Sequence, residues 1–104
     1  MASFVSFLIM ASISVSKQHQ LTHKQAKVVA EKLASDLEDR FGLAWRWDGD
    51  HVRFERPGVT GSMLVGASDI RLDVKLGLLL TPLKPSIERE IHAQLDKLTR
   101  KASA

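Results

Sequence analysis

The chain has 104 residues, 44% of them hydrophobic and 26% charged, with no cysteine and a formal net charge of +3. That length supports one hydrophobic core, and the ordinary globular composition argues against both a disordered chain and a membrane-spanning one. The missing cysteines rule out disulfides, thiolate chemistry and a cysteine zinc site, while a mild basic excess with alternating signs is weak support for a nucleic-acid face.

Residues 1–10, MASFVSFLIM, form an apolar leader. They lack a charged n-region, since the first basic residue is Lys17, so they do not read as an export signal. The run is also too short to span a bilayer, and the chain is expected to be cytoplasmic with no transmembrane segment. Met10-Ala11-Ser12 repeats Met1-Ala2-Ser3, which suggests a start at Met10; a short hydrophobic anchor is the competing reading. The fold is expected over residues 11–100 as one domain, with 101–104 as a basic tail.

Ser12 to Ser16 alternates with a period of two and reads as a short edge strand with Ile13 and Val15 on one face. A helix should follow. Thr22 can cap it, Gln25 stands three residues on as in a capping box, and Leu21 can staple onto Ala26. Ala26, Val29, Ala30, Leu33, Leu37 and Phe41 recur at helical spacing; Lys27/Glu31 and Asp36/Arg40 are opposite charges four apart, and Gly42 supplies the stop.

Asp48-Gly49 signals a two-residue type I′ hairpin, which would pair Trp47 with Asp50, Trp45 with Val52 and Leu43 with Phe54. Pro57-Gly58 suits a type II turn pairing Arg56 with Val59, and the next loop pairs Val65 with Ile70. These turns hold Val52, Phe54, Met63, Val65, Leu72 and Val74 on one apolar face, with Arg46, Arg53, Arg71 and Lys75 on the other. The last helix has an inner face of Ile87, Ile91, Leu95 and Leu98, and begins at either Thr81-Pro82 or Pro85. The expected class is α+β: an antiparallel sheet of four to five strands with two helices on one face, in the order β-α-β-β-β-β-α.

Few residues suggest chemistry. His19, His23, His51 and His92 match no metal motif, and His23, His51 and His92 fall on polar faces. No phosphate loop or nucleophile elbow is present, and neither a metal nor a cofactor is expected. Glu55 and Asp73 interrupt the outer cations, so a solvated mixed-charge face accounts for them better than phosphate binding. Trp45 and Trp47 read as core, with an aromatic platform for an apolar ligand or for bases as the alternative. In the run from Leu76 to Leu83, the consecutive Leu78, Leu79 and Leu80 cannot all face inward on a strand. Together with Leu83 they form either an exposed contact surface or a covered crossover.

Several segments together carry a family resemblance: Trp45-Arg46-Trp47-Asp48-Gly49-Asp50, the stretch from Arg53 to Gly61, the stretch from Asp73 to Leu80, and Ile87-Glu88. Over about residues 11 to 100 the chain resembles the polyhydroxyalkanoic acid system family, small bacterial proteins associated with polyester granule genes. The resemblance implies a role in synthesis, storage or use of polyhydroxyalkanoate, with the granule surface or granule-associated proteins as partners. It implies no catalytic residue. The expected function is therefore a non-enzymatic accessory acting through apolar contacts. A carrier or enzyme for a lipid-like ligand, working between helices and sheet, is the first alternative, and weak nucleic-acid binding through the outer arginines is the second. The sheet with its long C-terminal helix also looks like a reduced helix-grip fold, an analogy that says little about function.

Overall fold

The segments of period two become one five-stranded antiparallel sheet, and the two of helical period pack together on its apolar face. A computed structural model describes residues 9–103. Its elements are β1 (Ile9–Gln18), α1 (His23–Phe41), β2 (Ala44–Asp48), β3 (His51–Arg56), β4 (Val59–Val65), β5 (Asp69–Gly77), a 3-10 helix (Leu78–Leu83) and α2 (Lys84–Ser103). The sheet order is β1-β5-β4-β3-β2, so the first strand closes one edge beside the last. This is the expected α+β class and element order.

The β3/β4 and β4/β5 registers follow the turn chemistry: Arg56 lies opposite Val59, Phe54 opposite Gly61, Val52 opposite Met63 and Val65 opposite Ile70. The β2/β3 register differs from expectation. Asp48 pairs with His51, Trp47 with Val52 and Trp45 with Phe54, so the central turn residues are Gly49-Asp50 rather than Asp48-Gly49. Gly49 has φ of 65° and Asp50 does not have positive φ, as a type II′ turn with glycine first requires. A two-residue shift in pairing keeps both strands' faces, so Trp45 and Trp47 still share a face with Val52 and Phe54.

β1 is longer than the expected strand because β5 offers it a full ladder: Gln18 pairs with Asp69, and pairing reaches Ile9 opposite Gly77 with one irregularity between Ile9 and Ala11. The strand thus starts ahead of residue 11, while residues 1–8 of the leader lie outside the described residues. At the other terminus, α2 continues through the expected tail to Ser103, with Arg100 and Lys101 in its last turn, where cations suit the helix dipole.

α1 forms as its sequence directs. Thr22 Oγ1 accepts from Gln25 N at 3.1 Å, and Gln25 Oε1 accepts from Thr22 N at 3.0 Å, completing the capping box. Gly42 ends the helix at φ of 72°, its N–H donating to the Glu38 carbonyl at 2.9 Å. Arg56 adds a second tie, donating from Nη1 to the Phe41 carbonyl at 2.6 Å. The helices run antiparallel: Gln25 reaches the Ala102 carbonyl at one end, and Arg40 reaches Glu90 at the other. Leu33 and Leu37 of α1, Ile91 and Leu95 of α2, and Met63 and Leu72 of the sheet are buried in one continuous core. Truncating any of these core leucines to alanine should cost about 2–5 kcal/mol.

Candidate apolar contact surface

The leucine run leaves the sheet as a 3-10 helix, and its period of three sorts the side chains. Residues three apart eclipse in such a helix, so Leu80 and Leu83 fall on one side and pack against the core. Leu78 and Leu79 fall elsewhere and stand 56% and 91% exposed. The turn is pinned from below: Gly77 N donates to the Gly58 carbonyl at 2.8 Å, and Thr81 Oγ1 donates to the Gly77 carbonyl at 3.3 Å. Gly58, at φ of 84°, leaves room for this packing, since a Cβ there would lie 2.9 Å from Leu80 Cδ1. Thr81 is therefore occupied within the 3-10 helix, Pro82 lies inside that helix, and α2 starts at Lys84 with Pro85 in its first turn.

Trp45 and Trp47 do not join this surface. Both are half-buried against the core, and each indole N–H is engaged by a carboxylate of α1: Trp45 Nε1 donates to Glu38 at 3.2 Å, and Trp47 Nε1 donates to Glu31 at 2.9 Å. Lys27 Nζ lies 5.3 Å from the centre of the Trp47 ring and 3.6 Å from Asp50, so it serves strand and turn rather than the expected pair with Glu31. Trp47 sits beside Val52 at the start of β3, whereas Leu80 sits beside Gly58 just past its end. At about 3.3 Å per residue the two are separated by most of the sheet's length.

The ionisable groups are mostly held in local pairs. On the outer sheet face Arg53 meets Asp48 at 3.3 Å, Arg71 meets Asp69 at 3.1 Å, and Ser14 donates to Asp73 at 2.7 Å. His23 and His92 are exposed and His51 half-buried. His19 Nδ1 accepts from Leu21 N at 3.1 Å, and its Nε2 is buried without a partner. Among the described residues no three histidine, aspartate or glutamate side chains stand close enough to share a metal ion. No helix among them is long and apolar enough to cross a membrane.

Two groupings arise only from the meeting of α1 with α2. Arg40 Nε lies 3.0 Å from Asp36 and 2.9 Å from Glu90, and Gln94 donates to Glu90 at 3.1 Å. A hydrogen bond with Asp36, burial and the Asp36 charge together raise the Glu90 carboxyl above its ordinary value, against the opposing pull of Gln94 and Arg40. Nearer the other end of the helix pair is an apolar groove containing Val28, 44% exposed, and Leu98. The sequence signal for it was Val28 itself, an apolar residue four from Lys24 and four from Lys32 on the solvated stripe of α1.

No curated protein matches the chain. A family does: residues 13–99 match polyhydroxyalkanoic acid system protein (PHA_gran_rgn), a span from the inward Ile13 of β1 to the buried Thr99 near the end of α2. Since that span covers the sheet, both helices and the leucine turn, the chain belongs to the polyhydroxyalkanoic acid system protein family.

Proposed function

We propose that this protein is a non-enzymatic cytoplasmic accessory of polyhydroxyalkanoate synthesis, storage or use, attaching to the polyester granule or to a granule-associated protein through Leu78 and Leu79. One observation carries the reading: two adjacent leucines project from a turn whose backbone is fixed, with Leu79 91% exposed while Leu80 and Leu83 anchor the same turn to the core. A polyester surface is apolar and offers few charges, so projecting leucines suit it better than the ion-paired sheet face does. Burying two leucine side chains contributes on the order of 3–6 kcal/mol, before the cost of immobilising the protein. That supports weak, reversible attachment, strengthened where many copies meet one granule.

The test is fractionation of polyester-accumulating cells expressing a tagged copy. The parent should sediment with granules, and Leu79→Asp should remain in the soluble fraction with unchanged circular dichroism. A folded Leu79→Asp protein that sediments with granules as well as the parent does would defeat the reading.

A further inference from the structure

The groove between α1 and α2 has a composition that selects a ligand. Its floor is Val28, Val29, Leu98 and Ala102, its rim carries Lys24, Lys32 and Lys101, and no carboxylate lines it. Among the described residues these three lysines make no ion pair or hydrogen bond, whereas Lys17 and Lys27 are bound to Asp96 and Asp50. Gln25 bridges from α1 to the Ala102 carbonyl and closes one end. Along the helices in the other direction the surface becomes acidic, with Glu31, Asp36 and Asp39 around the adjoining depression.

We propose that this groove binds a small anionic amphiphile, an acyl carboxylate of medium chain length, with its head between Lys24 and Lys101 and its chain over Val28 and Leu98 toward Lys32. An apolar floor alone would suit many occupants; the unpaired Lys24 and Lys101 at one end of it select an anion. The acidic stretch beyond Lys32 fixes the direction, since a carboxylate there would face Asp36 and Asp39. Size argues against a protein partner. The groove measures about 330 Å3, near the lower bound of ligand sites at about 300–1,000 Å3. Its floor of four side chains falls well short of the roughly 20–30 residues a side in a stable protein interface. From Lys24 to Lys32 is about two helical turns, or about 12 Å, enough for a chain of this kind to lie at length. The site is at the α1 N-terminus and the α2 C-terminus, far from Leu78 and Leu79 at the opposite end of α2, so it does not depend on granule attachment.

The probe is octanoate, kept below its micelle-forming concentration, followed by titration calorimetry and by methyl chemical shifts of the full chain. Binding should saturate, with the largest shifts at Val28, Val29 and Leu98. Acetate, which has the head without the chain, and 1-octanol, which has the chain without the charge, should each bind about tenfold more weakly or worse. Lys24→Glu and Lys101→Glu should weaken octanoate binding by about tenfold while leaving the melting curve intact, since both residues are solvent-exposed. Absence of saturable binding would overturn the proposal, as would shifts centred elsewhere or an affinity indifferent to both charge reversals. Sedimentation supplies the remaining arm: a concentration-dependent dimer that Val28→Asp dissolves would assign the groove to a second copy of the chain, and would equally overturn it.

Discussion

Trp47 Nε1 donates to Glu31 Oε2 at 2.9 Å, and this bond fastens the edge strand β2 to the solvated side of α1. The same ring lies beneath Lys27, which is also held by Asp50 in the hairpin turn. Among the described residues β2 has no neighbour on its outer side, so these side chains supply the tie that a further strand would give. Trp47→Phe keeps a ring against the core but loses the donor. It should lower stability by about 0.5–1.5 kcal/mol, at the lower end because Glu31 is exposed and can turn to water. Urea denaturation checks this, with Glu31→Ala expected to cost a similar amount and the double variant scarcely more than either.

Gly49 and Gly58 both hold positive φ, at 65° and 84°, yet their surroundings differ. A Cβ on Gly49 would meet nothing within 4 Å, so Gly49→Val carries only the backbone penalty, on the order of 1 kcal/mol. A Cβ on Gly58 would approach Leu80 Cδ1 to 2.9 Å, adding a steric penalty to the backbone one. Gly58→Ala should therefore cost more than alanine at Gly49 would, by as much as Leu80 must turn aside to admit the new methyl. Leu80→Ala placed in the Gly58→Ala background should cost less than in the parent, because the shortened side chain relieves the clash. Denaturation midpoints of the four variants measure the coupling directly.

Glu90 is raised above its ordinary 4.5, first by its hydrogen bond with Asp36 and then by burial and by the Asp36 charge. The folded state thus holds a proton that the unfolded chain gives up at lower pH. The stabilisation linked to that proton is complete below pH 4.5 and is lost as pH climbs through the raised folded value. Glu90→Gln replaces the carboxyl with an uncharged group that can still donate to Asp36 and accept from Arg40. Relative to the parent, the variant should gain stability as pH rises from 4.5 toward neutrality. Thermal melts across that range check the slope, and a constant difference between the two proteins would contradict it.

What the sequence disclosed depended on whether the signal was local. The Pro57-Gly58 turn and the alternation of Ile70, Leu72, Val74 and Leu76 each sit within a few residues, and the two registers they set are those observed. The Asp48-Gly49 pair misled by one turn position, because glycine satisfies positive φ first in a type II′ turn as readily as second in a type I′ turn. Strand alternation could say that Leu78, Leu79 and Leu80 do not share a face, but not which would be exposed; that needed the period of three of a 3-10 helix. Glu90 against Asp36, and Lys24 near Lys101, join residues from two helices separated in sequence by four of the sheet's five strands. No spacing within one element encodes those meetings, and they follow only from the antiparallel packing of α1 with α2.

The sorting of the leucine turn also governs stability, independently of any granule. Leu79 is 91% exposed, and Leu79→Asp removes no core contact, so its denaturation midpoint should stay within about 0.5 kcal/mol of the parent. Leu78, at 56% exposed, should lie slightly below it. Leu80 and Leu83 are half-buried against the core, and an aspartate at either place would bring a charge against Gly58 or the buried apolar residues. Those two variants should lose more than about 2 kcal/mol, and alanine at the same positions should lose less, since truncation forfeits packing without burying a charge. The order across the four positions is thus set by the period of three. If Leu79→Asp proved as damaging as Leu80→Asp, the outward placement of Leu79 would be wrong, and with it the surface through which attachment is proposed.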